Sequence, residues 1–88
     1  MNHEEINEYA NKITTIDEFS IFIENLIKNH KQQGDDWEND NIEKYLNGVL
    51  AFMHNIDGYY EFRGEDVDLE RPTWRIVARI FLAARIFG

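Results

Sequence analysis

The strongest structural signal in this chain is a run of apolar residues with the period of an α-helix. Over residues 42–56 the apolar side chains recur at steps of three and four, which is the spacing of one helix face. They are Ile42, Tyr45, Leu46, Val49, Leu50, Met53 and Ile56. Asp40-Asn41-Ile42-Glu43 has the residue spacing of a helix start, and Asp57-Gly58 is a typical end signal. The segment predicts a helix whose apolar face must be covered by other elements. Gly48, beside this face, predicts the close approach of a neighbouring helix.

Three further segments predict helices that could cover this face. Residues 3–13 form a short amphipathic pattern, and Thr15 with Glu18 has the spacing of a capping box before a helix over residues 16–32 that stops at Gly34. Pro72-Thr73 opens a last helix over residues 73–87, which is apolar around most of its circumference and is therefore predicted to be central. Residues 59–71 show no period and predict a loop of about a dozen residues, long for so small a chain.

These segments predict an all-α fold in one domain, residues 1–88. An 88-residue chain has enough apolar surface for one modest core, and its sequence contains no Ser/Gly-rich linker or repeat. We expect a compact bundle of three main helices plus a short N-terminal helix.

The charge of the chain restricts its partners. Its 17 acidic residues outnumber nine Lys and Arg, for a net charge of −8, and residues 73–88 contain Arg75, Arg79 and Arg85 but no acid. An acidic surface repels phosphate backbones and anionic membranes, so we expect neither a nucleic acid nor a membrane as partner. A basic protein partner is electrostatically compatible.

The sequence also predicts a cytoplasmic location. It contains no cysteine, which agrees with a reducing compartment, and its acidic start does not resemble a signal peptide. The most apolar stretch, residues 76–87, is interrupted by Arg79 and Arg85 and is shorter than the ~20 residues that a bilayer span needs.

No motif predicts catalysis, a cofactor or a metal site. No two of the histidines His3, His30 and His54 have a spacing that would place them on one helix face. Gly58 can be aligned with the central glycine of a calcium loop, but Met53 and Gly64 then occupy ligand positions that need oxygen donors. We therefore expect a protein that is not an enzyme.

Two clusters combine acids with aromatic residues, one around Trp37 and one that begins at Asp57. An aromatic residue between helices usually packs onto the core, which is the prediction for Trp37. Tyr59 and Tyr60 could be either core residues or binding residues, since adjacent side chains rarely both point inward. The predicted protein-binding residues are Asp57, Tyr59, Tyr60, Glu61, Asp66 and Asp68.

The aromatic residues recur in a pattern that resembles a family of small bacterial proteins of unknown function. The pattern spans residues 17–87 and consists of Trp37-Glu38-Asn39, Tyr45-Leu46, Asp57-Gly58-Tyr59-Tyr60, Pro72-x-Trp74 and Leu82-Ala83-Ala84-Arg85-Ile86. The resemblance implies an all-helical single domain in a bacterium, and it implies no activity and no functional residues. A weaker resemblance, to the immunity proteins that neutralise DNase colicins, rests on Tyr59-Tyr60 between Asp57 and Glu61; Glu61 stands where that family has a proline.

These observations favour a small acidic protein-binding module, such as an inhibitor or immunity-type protein that acts stoichiometrically on a basic partner. An alternative is a homo-oligomeric structural domain without another partner, in which the last helix forms a homodimer through Ile76, Ile80, Ala83 or Phe87. A third hypothesis is a ligand-binding cleft beside residues 57–71 that includes Arg63 and Arg71.

Overall fold

Four α-helices joined by short connections make up the fold in the computed structural model, which describes residues 1–87. The helices are α1 (His3–Ala10), α2 (Ile16–Gln33), α3 (Ile42–Phe62) and α4 (Trp74–Ala83), and a 3-10 turn (Gly34–Asp36) follows α2. The described part of the chain contains no strand. The predicted fold class, an all-α bundle of three main helices and a short N-terminal helix, is confirmed.

Each helix begins at a side-chain cap. The side chains of Asn2, Thr15, Asn41 and Thr73 each accept a hydrogen bond from the backbone N–H three residues later, which satisfies a donor that has no partner within the helix. At α2 the Glu18 carboxylate also accepts from the N–H and the hydroxyl of Thr14, at 3.0 and 2.9 Å. These hydrogen bonds lower the pKa of Glu18. The helix starts predicted at Thr15, at Asp40-Asn41 and at Pro72-Thr73 are therefore confirmed, and the cap of the second is Asn41 rather than Asp40.

The predicted end of α3 at Asp57-Gly58, and the loop predicted from Tyr59, are wrong. The helix continues to Phe62 and ends at Gly64, whose φ of 71° lies in the left-handed region that glycine adopts without strain. The Gly64 N–H donates to the Glu61 carbonyl and the Glu65 N–H donates to the Tyr60 carbonyl, both at 3.0 Å, which is the Schellman arrangement. Gly58 and Gly64 are both possible helix ends. The helix continues past Gly58 because burial of Tyr60 stabilises its last turn.

The helix α4 is shorter than predicted, because residues 84–87 leave the helix to meet the connection before α3. The Asn39 side chain donates to the carbonyls of Ala84 and Phe87 at 2.8 and 2.7 Å, and the Asn39 N–H donates to the Arg85 carbonyl at 2.9 Å. These bonds satisfy carbonyls that a helix end otherwise leaves to solvent. The helix α1 also ends early, at Ala10, although Ile13 beyond it is buried as its pattern predicted.

The main core lies between α1, α2 and α4. Its buried residues are Ile6, Ala10, Ile13, Phe22, Leu26, Trp37, Ala78 and Leu82. Trp37 is among them, as predicted. The helix α4 packs against each of the other three helices, which confirms its predicted central place.

A buried polar network ties the start and the end of the chain to this core. The Arg85 guanidinium is buried and donates to the Leu82 carbonyl at 2.9 Å and to the Asn29 side-chain oxygen at 3.2 Å, and it lies 2.9 Å from the His3 Nδ1. The Trp37 indole N–H donates to the same Asn29 oxygen at 2.8 Å. Burial lowers the pKa of Arg85. Throughout residues 1–87, no buried side-chain nitrogen or oxygen lacks a hydrogen-bond partner.

The helix α3 contributes no residue to the buried cluster of the main core, although Tyr45 packs against it, and among the described helices only α4 makes close backbone contact with α3. Gly48 faces this contact: a Cβ there would lie 2.5 Å from the Ala84 carbonyl oxygen and 2.8 Å from that of Phe87. The close approach predicted from Gly48 is confirmed, but what approaches is the backbone of Ala84 and Phe87 beyond the end of α4, and not a helix. One side of the apolar face of α3 stays in solvent, and Ile42, Leu46, Leu50 and Met53 are 73, 56, 52 and 50 % exposed.

The described helices include none that is both long enough and apolar enough to cross a membrane.

Candidate functional site

The residues predicted to bind a protein lie at the C-terminal end of α3 and in the connection that follows it. Asp57, Tyr59, Tyr60 and Glu61 belong to the last two turns of the helix, and Asp66 and Asp68 lie in the connection to α4. Side chains that are close in sequence therefore point in different directions, because each residue of a helix is rotated by 100° from the one before it.

The two tyrosines occupy different environments. Tyr60 is buried, with 4 % of its surface exposed, and this burial is the main cause of the raised pKa of its phenol. Tyr59 is half-buried, and its ring lies 5.2 Å from the Phe52 ring and 5.0 Å from the Tyr60 ring. The Arg63 guanidinium lies over the Tyr59 ring at 5.4 Å. Tyr60 is therefore a packing residue, and Tyr59 presents part of one ring to solvent.

Three of the predicted carboxylates share one cleft. Asp57, Glu61 and Asp66 line an open cleft of about 370 Å³ whose floor includes Tyr60. No Lys or Arg belongs to the lining of this cleft. Glu65 also lines it, but its two oxygens lie 3.1 Å from Arg63 Nε and 3.5 Å from an Arg75 nitrogen. We call this cleft, with the acidic residues Asp57, Glu61 and Asp66 in its lining, the acidic cleft.

Asp68 does not line the acidic cleft. Its side-chain oxygen accepts from the Glu70 N–H at 3.1 Å, and its carbonyl accepts from the Arg71 N–H at 3.2 Å. These bonds fold the connection into a turn before Pro72. The position of Asp68 is therefore explained by local backbone structure.

The sequence did not single out Phe62, although it is the most exposed large apolar residue described, with 93 % of its surface in solvent. It lies on the last turn of α3, beside an open cleft of about 510 Å³ that Tyr59 and Arg63 also line. A helix that ends at Gly64, rather than at Gly58, would have placed Phe62 on its outer side. Sequence reasoning could therefore have found Phe62 by choosing Gly64 rather than Gly58 as the end signal of α3.

A second apolar surface lies at the other end of α3. An open groove of about 400 Å³ separates α2 from α3 and has Phe81 of α4 in its floor. Its apolar lining includes Ile23, Leu26, Ile27, Trp37, Ile42 and Tyr45. Tyr45 stacks on Trp37 with the ring centres 5.7 Å apart, and its hydroxyl donates to the Phe81 carbonyl at 2.6 Å. Burial raises the pKa of Tyr45 to about 12. We call this surface the α2–α3 groove.

The surface that the sequence predicted for a homodimer is largely covered. Ile76 is buried, and Ile80, Ala83 and Phe87 are half-buried. More exposed large apolar residues lie on α3 than on α4, which has helices packed on it from three sides.

Two separate open clefts lie beside residues 57–71, where a ligand-binding cleft was the third hypothesis. Arg63 lines the larger one, whereas Arg71 lines neither. Over residues 1–87, no group of three or more His, Cys, Asp or Glu side chains could hold a metal ion.

Comparison with known proteins identifies a family. The model of a family of unknown function, DUF7660, matches residues 15–88, which is most of the chain, and the chain belongs to this family. The predicted membership of a small family of unknown function is confirmed. No curated protein and no solved structure matches the chain significantly.

Proposed function

We propose that this member of the DUF7660 family is a small acidic protein-binding module that acts stoichiometrically on a basic protein partner, as an inhibitor or an immunity-type protein does, and not as an enzyme. The observation that carries this proposal is the acidic cleft. Its three acidic residues come from α3 and from the following connection, and no Lys or Arg belongs to its lining.

The electrostatics of this end of the molecule favour a basic partner. Carboxylates grouped in a cleft add their potentials, and a chain of net charge −8 attracts a basic protein from beyond contact distance. Complementary charge of this kind mainly raises the association rate and selects the partner. Contact area would come from Phe62, since exposed aromatic residues are enriched in protein interfaces.

The proposal places the protein in the cytoplasm, with which the absence of cysteine from its sequence agrees.

The test begins with capture of a partner from a lysate of the source organism and measurement of its affinity by titration calorimetry at physiological salt. The double variant Asp57→Asn/Glu61→Gln should weaken binding at least tenfold. The matched control is Glu8→Gln/Glu24→Gln, which removes the same charge from exposed positions on α1 and α2 and should leave the affinity nearly unchanged. Recovery of acidic partners alone, or equal effects of the two double variants, would count against the proposal.

The alternative of a homo-oligomer draws support from the exposed apolar side of α3. Sedimentation equilibrium at micromolar concentration distinguishes the two functions, because the binding module sediments as a monomer without its partner.

A further inference from the structure

The α2–α3 groove and the exposed side of α3 form one long apolar surface. The helices α2 and α3 both pack on α4, but among the described residues their backbones make no close contact with each other, and an open trough lies between them. Ile42 lines the groove at one end of this trough. From there Leu46, Leu50 and Met53 continue along α3 at steps of four, four and three residues, and each is at least half exposed.

The dimensions of this surface match those of a helix. Residues 42–53 extend for about 18 Å at 1.5 Å per residue, which corresponds to three turns. Helix-in-groove recognition uses this geometry, in which one helix places residues at positions i, i+3, i+4 and i+7 into an apolar trough.

A row of acids borders the apolar surface on its outer side. At steps of three and four residues α3 presents six residues in one stripe, with three acids and no Lys or Arg. They are Glu43, Asn47, Leu50, His54, Asp57 and Glu61. Five of the six are polar, and all six are exposed. At the groove itself, Lys31 and Asp40 lie on the rim and offset each other in charge.

This charge distribution decides between the possible occupants. A second copy of the chain would bring another net charge of −8 and a second row of acids to the same surface, and like charges across an interface are unfavourable. A helix with Lys or Arg beside its apolar face would instead meet Glu43, Asp57 and Glu61 with opposite charge.

We propose that the α2–α3 groove and the exposed side of α3 bind an amphipathic helix of the partner, with its apolar face on Ile42, Leu46, Leu50 and Met53 and its basic edge toward Glu43, Asp57 and Glu61. This inference rests on the proposed function, because it assumes a basic protein partner. It adds the secondary structure of the recognised segment and a second contact surface beside the acidic cleft.

A model peptide tests the proposal without knowledge of the partner. The probe is a fluorescein-labelled peptide of about 18 residues, long enough to fold on binding, with Leu at helical spacing on one face and Lys on the other. The reference is a scrambled peptide of identical composition, in which no face is apolar. Fluorescence anisotropy at physiological salt should show saturable binding of the amphipathic peptide that is at least tenfold tighter than that of the scrambled one.

Variants locate the bound peptide. Leu46→Gln/Leu50→Gln removes apolar surface without a change of charge and should weaken binding at least tenfold. The control Ile16→Gln/Ile21→Gln makes the same substitution at two exposed positions on α2 outside the groove lining and should bind as the wild type does. Thermal unfolding by circular dichroism verifies that both variants fold.

The possible results separate this inference from the proposed function. Equal affinity for the two peptides, no saturable binding, or full affinity of Leu46→Gln/Leu50→Gln would overturn the helix-binding surface. If Asp57→Asn/Glu61→Gln still weakened partner capture in that case, the acidic cleft would remain supported without the helix-binding surface. A loss with the leucine variant alone would support the apolar contact, and it would overturn both the acidic cleft and the basic edge placed on Asp57 and Glu61. A wild-type dimer that Leu46→Gln/Leu50→Gln converts to a monomer would assign the surface to a second copy and overturn the inference.

Discussion

The two sides of α4 are covered to different extents. Toward α1 and α2 it forms a closed core, in which Phe22, Ala78 and Leu82 are buried. On the side of α3, Gly48, Phe52 and Tyr60 are buried, but the outer side of the long helix leaves Ile42, Leu46, Leu50 and Met53 in solvent. Both regions have apolar residues at helical spacing, so the periodicity alone does not determine burial.

The difference follows from helix length and from the number of neighbours. The helix α3 has 21 residues and α4 has ten, which corresponds to about 31 and 15 Å. Among the described helices, only α4 makes close backbone contact with α3. In the other region α1 and α2 pack on each other as well as on α4, so each apolar stripe has two neighbours. An apolar helix face is buried only where neighbouring helices cover it, and α3 has one such neighbour, α4.

A matched pair of leucine truncations measures this difference directly. Leu82→Ala should lower the free energy of unfolding by about 4 kcal/mol, because Leu82 is 2 % exposed and its loss leaves a cavity in the closed core. Leu50→Ala, on the exposed side of α3, should cost less than about 1 kcal/mol. Urea denaturation of both variants provides the measurement. Similar losses at the two positions would mean that α3 is covered in solution, and the contrast between the regions would fail.

The attachment of α3 can be tested at Gly48, where the backbone that follows α4 lies against it. Gly48→Ala should destabilise the fold by about 3 kcal/mol, because the new Cβ would lie 2.5 Å from the Ala84 carbonyl oxygen and α3 would have to move away. Gly58→Ala is the matched control: a Cβ at Gly58 meets no atom within 4 Å, and alanine favours the helix. Denaturation should therefore show a loss for Gly48→Ala and no loss for Gly58→Ala. A neutral Gly48→Ala variant would show that α3 is loosely attached.

Alkaline pH should weaken the polar contact that attaches α3 to α4. The pKa of Tyr45 is about 12 in the folded protein, whereas an unfolded tyrosine ionises near 10. The unfolded chain therefore loses its proton first, so the stabilisation is complete below pH 10 and declines as the pH rises to 12, by up to about 2 kcal/mol.

Urea denaturation at pH 9 and at pH 11.5 measures this decline in the wild type and in Tyr45→Phe. The variant should lose less stability between the two pH values, and its remaining loss should come partly from Tyr60, whose pKa is also raised by burial. An equal decline in both proteins would show that Tyr45 is not the group responsible.

The candidate site was predicted in part. Asp57, Glu61 and Asp66 do meet in one cleft, although the sequence placed them in a loop and the structure places two of them on a helix. The tyrosine pair was ambiguous because a loop does not determine the direction of its side chains. Once the helix continues to Phe62, its rotation buries Tyr60, half-buries Tyr59 and exposes Phe62.

By itself the sequence determined the helical class, three of the helix starts, the core position of Trp37 and the close approach at Gly48. Each of these depends on residues close together in the chain, through a capping side chain, a period of apolar residues or the missing Cβ of glycine. The ends of α3 and α4, the direction of the tyrosines and the exposed side of α3 depended on contacts with residues distant in sequence. Asn39 ends α4 through bonds to Ala84 and Phe87, and burial of Tyr60 stabilises the last turn of α3. Only the tertiary structure decided these features, because a local pattern specifies which face of a helix is apolar but not how many neighbours will cover it.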